Sequence, residues 1–301
     1  MTRIATIPLQ RTMAGAIQQA QQKLAVSQTQ LATGKKAPNF AALGTQAVRN
    51  LSAHSLVARE KAHSDVAAQV GTTLSLYDSN ISGLDTLGTD LRQSILSAVG
   101  TGNSPGLQDA INVAFDQFRA ILNASSGGAP LFAGSQSTPP FTPETLADTA
   151  GLEPEAAFTN DGVRASARVG DNIDVEYGVT ASALGTDMLA AFRTLAEMGA
   201  VGDTPTAEQT QALRTALGQI DGAMGGIRNI NAENGRKQTQ LETLGTRADQ
   251  RGLVYQDIIS RNEDADLGQV AIDLAQQKAV LEASYSVFGQ LSGLSLVNYL
   301  R

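Results

Sequence analysis

Apolar residues at both ends of this 301-residue chain recur at coiled-coil spacing. Near the N-terminus, Met13, Ile17, Ala20, Leu24, Ser27 and Leu31 alternate by four and three residues. Near the C-terminus, Val270, Leu274, Gln277, Leu281, Ser284, Phe288 and Leu291 follow the same rhythm. Such a seam leaves apolar area in water unless another helix covers it. The simplest cover for one end is the other end, or the same element of a neighbouring molecule. The fold class expected is therefore mainly α: a long helical coiled-coil hairpin formed by the N- and C-terminal segments, with a small β-rich central insertion. A chain closed by its own ends, with adhesive seams there, fits an assembly subunit better than an enzyme.

Composition supports close-packed helices. Hydrophobic residues make up 42% of the chain but aromatic residues only 4%, with no Trp. Large globular cores draw on aromatic bulk, whereas Ala-rich apolar content suits coiled coils. There is no Cys, which excludes disulfides and thiolate metal sites. The net charge of -7 is unevenly placed. The first acid is Glu60, and seven bases precede it. The remaining residues hold all 29 acids and 15 of the 22 bases, a balance of -14. An acid-free start suits a transit peptide or a nucleic-acid-binding arm. Against both, the helical seam runs on into structural sequence, and the sparse bases have only Phe40 as an aromatic companion. A helix complemented by acids such as Glu263, Asp264, Asp266 and Asp273 accounts for the pattern, so neither nucleic acid nor membrane is expected as a partner. No apolar stretch approaches the roughly 20 residues needed to span a bilayer. Without a continuous apolar signal region near the start, export would need a dedicated route.

Along the chain, residues 10–33 read as one helix, stopped by Gly34 and Pro38. A second long helix follows, with a seam expected at Val66, Val70, Thr73, Tyr77, Asn80, Leu84, Leu87, Leu91, Ser94 and Ala98. Asn80 in that seam would set register. Gly100 to Gly106 is a break, and Leu107 to Asn123 is a further helix with Ile111, Phe115, Phe118 and Leu122 on one face. Residues 124–162 are rich in Gly, Pro, Ser and Thr. The runs 164–169 and 173–179 predict a hairpin around a three-residue turn, Gly170-Asp171-Asn172. Helical patterning returns at 186–197, then from about Thr206 for roughly 50 residues, with Gly225, Gly226, Gly235 and Gly245 arguing against an unbroken element. The stretch 261–266 is a joint before the terminal helix. Three domains are expected: a terminal coiled coil from 1–40 with 260–301, a helical bundle from 41–129 with 186–259, and an insertion at 130–185.

No catalytic constellation is apparent, and no cofactor or metal is expected. His54 and His63 are the only histidines, and a nine-residue helical separation puts them on opposite faces as solvated polar groups. Glu263, Asp264 and Asp266 lack the spaced ligands of a calcium loop. Gly34-Lys35 lacks the earlier glycine of a phosphate loop.

Three stretches are more specific. They are Pro130-Leu131-Phe132-Ala133-Gly134-Ser135 with the later Pro140-Phe141, then Leu31-Ala32-Thr33-Gly34-Lys35-Lys36, and the ending Leu294-Ser295-Leu296-Val297-Asn298-Tyr299-Leu300. Together with the Asp264-Ala265-Asp266 joint, they resemble the flagellar hook-associated FlgL family, relatives of flagellin. One departure stands out: where that family often has Asp-Asp-Pro after Thr-Gly-Lys, this chain has Ala37-Pro38-Asn39-Phe40-Ala41-Ala42-Leu43. The resemblance implies a structural subunit of the bacterial flagellum at the hook–filament junction, self-assembled into a ring-like layer between a hook-associated protein and flagellin. It also implies secretion to the extracellular flagellum as an unfolded chain, through the flagellar type III export apparatus and guided by an export chaperone. A flagellin filament subunit is the first alternative, and a helical signalling module a more distant one. The seams and the apolar tail nominate the assembly contacts: Met13, Ile17, Leu24, Leu31, Val270, Leu274, Leu281, Phe288, Leu291, Leu296 and Tyr299.

Overall fold

The computed structural model of the chain describes residues 3–297, with side chains described for 11–290. Its long helices are α1 (Arg3–Thr33), α2 (Ala47–Thr101), α3 (Leu107–Leu122), α4 (Ala181–Glu197), α5 (Ala207–Glu263) and α6 (Leu267–Val297). Two small antiparallel ladders lie between α3 and α4: β1 (Ser125–Ser126) with β2 (Ala129–Pro130), and β3 (Ala165–Gly170) with β4 (Ile173–Tyr177). The fold is thus mainly α with a small β insertion, as the periodicity predicts. The chain divides into two compact units, Met1–Arg59 with Gln250–Arg301, and Glu60–Asp249.

In the first unit α1 packs along α6. Lys35 bridges Asp264, the Ser27 hydroxyl donates to Gln277 Oε1 at 3.2 Å, and Gln21 donates to the Tyr285 hydroxyl at 2.5 Å. Partner numbers rise on one helix as they fall on the other, so the pair is antiparallel. Gly34 ends α1 in a left-handed conformation (φ 69°), where a Cβ would be strained. A 3₁₀ segment, Phe40–Gln46, then leads into α2; the Asn39 side chain caps it by accepting from the Ala42 amide.

In the second unit, residues of α2 and α5 form an antiparallel pair tied by Arg92–Asp221 and Arg228–Asp85, both at 2.6 Å. Along α2 in this unit, Ala67, Val70, Leu74, Tyr77, Ile81, Leu84, Gly88, Leu91, Ile95 and Ala98 are buried in a three-four repeat, with Leu87 buried beside it. The sequence seam therefore holds at Val70, Tyr77, Leu84, Leu91 and Ala98. It lies one residue early at Val66, Thr73, Asn80, Leu87 and Ser94, although Leu87 is itself buried. At one of these positions the seam residue is Gly88, which has no side chain and where a Cβ would come within 3.0 Å of Met224. Asn80 is half-exposed, and its amide donates back to the Leu76 carbonyl. The seam asparagine is instead Asn234 of α5, buried and donating to the Leu74 carbonyl at 2.9 Å.

Helices α3 and α4 complete this core with Ile111, Phe115, Phe118, Leu122, Leu184, Met188, Phe192 and Leu195. Helix α4 begins at Ala181, five residues before the expected 186, because Thr180 caps it by accepting from Ala183. Helix α5 continues through its glycines, since its buried face, from Leu213 to Ala248, packs past all four and outweighs local propensity. In the hairpin, Gly170 pairs with Ile173 around Asp171-Asn172, and a register shift falls between Arg168 and Gly170. The turn thus has two residues rather than three, with Asn172 at φ 57°, a conformation Asn tolerates.

Candidate assembly interface

The first unit is organised around one carboxylate. Glu263 ends α5, and its Oε1 accepts from Asn50 Nδ2 at 3.0 Å and lies 2.6 Å from His54 Nε2. Its Oε2 is 3.5 Å from Lys35 Nζ, and its carbonyl accepts from the Lys36 amide at 2.6 Å. Asn50 has no exposed surface, and its Oδ1 accepts from Asn262 Nδ2 at 2.9 Å. Alongside, Asp264 accepts from Lys35 at 2.6 Å and from Ser260 at 2.5 Å. The Lys35 bond, then the Ser260 bond, hold the Asp264 carboxyl below its usual range, and the Asp264 bond raises the Lys35 ammonium. The Phe40 ring meets His54 edge-on at 5.7 Å. This polar clasp joins the end of α1, the start of α2 and the end of α5.

The solvated reading fails for His63 and holds only in part for His54, which is exposed but not unpartnered. His54 is engaged by Glu263. His63 is only 8% exposed, with Nδ1 3.9 Å from Glu60 Oε2, because residues 60 and 63 extend the seam rhythm of α2 toward its start.

Beyond the clasp, the α1–α6 seam is half-covered. Met13, Ile17, Ala20 and Leu24 on α1 are half-buried, and so are Leu274, Gln277, Leu281, Ser284 and Phe288 on α6; Ser27 and Val270 are buried. Leu31 departs from the pattern at 43% exposed, while Gln30 turns inward and donates to the Lys36 carbonyl. Leu291 and Leu296 belong to helix α6, but their side chains lie outside the described residues, as does Tyr299 entirely.

The outer faces of this unit are apolar as well. Seventeen large apolar side chains are exposed among the described residues. Twelve of them fall in residues 11–59 and 250–290, which hold 90 of the 280 described side chains. On α6, Leu267, Ile272, Val280, Tyr285 and Val287 are exposed in addition to the inward seam, so apolar groups surround the helix. Apolar groups on more than one face leave α6 with more to bury than α1 alone covers. The charge is distinctive too. Residues 250–301 carry six acids and four bases, and residues 1–59 carry seven bases and no acid, so this unit is +5. Residues 60–249 carry 23 acids and 11 bases, or -12.

The loop motif at 130–141 proves to be architecture. Phe132 and Ala133 have no exposed surface, and the Phe132 carbonyl accepts from the Ala181 amide at 2.9 Å. Gly134 is left-handed (φ 68°), and a Cβ there would fall onto the Asp161 carboxylate, 2.8 Å from the Asp161 carbonyl oxygen. Asp161 accepts from the Ser135 hydroxyl, the Ser135 and Val163 amides and the Gln136 side chain. Those bonds, the Ser135 hydroxyl foremost, lower its carboxyl to about 2. The Asn123 side chain grips Phe141 through both its amide and its carbonyl, each at 2.9 Å. Phe141 thereby joins Phe115, Phe118, Phe158 and Phe192, with ring centroids 5.1 to 6.1 Å apart. The signal for this latch was present as the Leu-Phe-Ala-Gly-Ser string, but its partner, Asp161, lies 26 residues away. Among the described residues, no three His, Asp or Glu side chains gather to hold a metal ion. No helix of the described residues is long and apolar enough to cross a membrane.

No family model and no curated protein matches the sequence. Solved structures do match the fold. FlgL from Bacillus cereus superposes with a TM-score of 0.57 at 15% identity, covering 69% of this chain and 99% of that one. A protein described as a flagellar hook-associated protein from Vibrio parahaemolyticus superposes with a TM-score of 0.56 at 14% identity, covering 72% of this chain and 97% of that one. The chain therefore has the fold of these flagellar proteins, in line with the motif resemblance.

Proposed function

We propose that this chain is a structural subunit of the bacterial flagellum at the hook–filament junction, and that it assembles through its terminal helices. The observation that carries this reading is the α1–α6 pair, whose apolar residues are exposed on faces that its own seam does not cover. Covering them with neighbouring copies removes apolar area from water, the main driving force for association. The fold shared with FlgL and the resemblance of the loop and terminal motifs support a place in the flagellum.

On this reading residues 1–40 with 260–301 form the assembly domain, the helices of 41–129 with 186–259 form the body, and 130–185 is an outward insertion. Met13, Ile17, Leu24, Leu31, Val270, Leu274, Leu281, Phe288, Leu291, Leu296 and Tyr299 supply contacts, some within the pair and some between copies. The partners are further copies in a ring-like layer, a hook-associated protein on one side and flagellin on the other. The chain leaves the cell through the type III export apparatus with a chaperone.

Antibody labelling of intact flagellated cells under the electron microscope tests this. A single site between hook and filament is expected. Label along the whole filament would make the chain a flagellin instead, and label confined to the cell body would overturn the flagellar reading.

A further inference from the structure

The hairpin β3–β4 is open along both edges. Its strands pair with each other, and among the described residues no other segment exchanges a backbone hydrogen bond with Ala165–Gly170 or Ile173–Tyr177. In an antiparallel pair each strand turns every second N–H and C=O away from its partner. Both edges therefore carry backbone groups that a further strand can pair. The inner face is already used: Val169 and Val175 are buried, and Ala167 and Tyr177 pack against the same core. Opposite residues share a face, so Ser166, Arg168, Asp174 and Glu176 form the outer one.

That outer face is divided by charge. β3 contributes the base, Arg168, and β4 the two acids. Arg168 holds Asp174 through two bonds, at 2.9 and 3.0 Å. Glu176 stands opposite Ser166, is exposed, and makes no ion pair among the described residues. A second copy can meet these edges in three ways. Setting β4 antiparallel against β4, inner faces together, opposes acid to acid, which is destabilising. Setting β3 against β3 brings no new base to either acid. Setting β4 against β3 places Arg168 of one copy beside Asp174 and Glu176 of the other.

We infer that β4 of one copy adds to the free edge of β3 in the next, so that the hairpins join into an antiparallel sheet running between copies. The register repeats the one inside the hairpin: Asp174 opposite Arg168, Val175 opposite Ala167, Glu176 opposite Ser166 and Tyr177 opposite Ala165. Paired residues in an antiparallel ladder either both point at each other or both point away. The outward groups of β4 and β3 therefore face one another in this register. The bulge between Arg168 and Gly170 leaves Ala165–Arg168 regular for the pairing. This rests on the self-assembly reading above and names one of its contacts. Each copy offers one edge of each kind, so the contact is heterologous, keeps every copy in the same orientation and suits a ring.

Because the chain has no Cys, single-cysteine variants report single sites. Full-length Ser166→Cys and Glu176→Cys chains are mixed, concentrated and oxidised with glutathione disulfide. Directly opposite residues have Cα atoms about 4.5–5.5 Å apart, within disulfide reach. A disulfide between the two kinds of chain is expected, with neither variant linking to itself. The swap Arg168→Asp/Asp174→Arg keeps an ion pair inside the hairpin but reverses both edges. Placed in the Ser166→Cys chain alone, it should lower the disulfide yield about tenfold or more; placed in both chains, it should restore it. Sedimentation of the parent chain at the same concentration reads self-assembly independently. Sedimenting assemblies without the mixed disulfide, or with Glu176→Cys linking to itself, would overturn this contact and leave self-assembly standing. A parent that stays monomeric at every concentration would overturn self-assembly itself.

Discussion

Replacing Asn50 by Ala removes the most enclosed part of the clasp. Two hydrogen bonds disappear, one to the Glu263 carboxylate at 3.0 Å and one from the Asn262 amide at 2.9 Å. A bond to a charged acceptor contributes about 1.5–3 kcal/mol net, and a neutral one about 0.5–1.5. The Glu263 side chain is only 12% exposed, so water compensates little. The loss should be roughly 2–4 kcal/mol, which is about 30- to 1,000-fold in the local opening equilibrium. Two amides report it directly: Lys36, which donates to the Glu263 carbonyl, and Ala265, which donates to the Gly34 carbonyl. Native-state hydrogen exchange should show their protection falling by that factor, while amides of α3 and α4 keep theirs. A cycle with Glu263→Gln should reveal coupling of at least about 1 kcal/mol. Unchanged protection at Lys36 and Ala265 would refute the idea that Asn50 holds this joint together.

Three further outcomes follow from the second unit. Phe192→Ala empties a site with no exposed surface between Phe115 and Phe118, and should cost about 3–5 kcal/mol in urea unfolding; a loss under about 1 kcal/mol would mean that the aromatic cluster is not the centre of the core. Gly134→Ala forces a left-handed alanine, about 1–2 kcal/mol from the backbone alone, and displaces Asp161; a midpoint equal to the parent's would show that the latch is dispensable. Asp161 has a folded-state pKa of about 2, below the ordinary carboxylate value near 3.9. Its stabilisation is therefore present above pH 4 and lost as pH falls toward 2. Nuclear magnetic resonance signals of residues 133–136 should shift over that window in the parent and not in Asp161→Asn.

How much of this was readable from sequence depends on the range of each interaction. The terminal seams were readable because Met13 to Leu24 and Val270 to Phe288 carry their own rhythm, whereas the α2 seam was placed one residue early at every second position, where Gly88 offers no side chain to mark it and its neighbour Leu87 does. The start of α4 was missed because a threonine cap, not apolar rhythm, sets it. The clasp was readable in part: the acid-free start and the acids at Glu263 and Asp264 foretell the Lys35 ion pairs, whereas Asn50 and His54 gain meaning only from being brought to Glu263 across more than 200 residues. The same holds for Asp161 beneath Gly134. Exposure was the least readable property, since Val48 and Leu51 look like core residues until the helix is placed.

The weak residues of the α1–α6 seam have a positive role. An Ala-rich heptad pair can slide by seven residues and still match apolar with apolar, so the seam alone does not fix register. Ser27 is 5% exposed and donates to Gln277. A one-heptad slip would set Ser27 against Val270 or Ser284 and take Gln277 away from it, at a cost of about 1–3 kcal/mol for a buried polar group left unpaired. The clasp adds a second stop at the Lys35–Asp264 bridge. Changing both Ser27 and Gln277 to Leu should therefore strengthen the pair while relaxing its register. Spin labels at Ala16→Cys and Ala283→Cys, both exposed positions, would read the result as a distance distribution. One distance in the parent and two or more in the double-leucine chain is the expected result. A single unchanged distance would mean that the clasp alone sets the register and that the seam's polar pair is incidental.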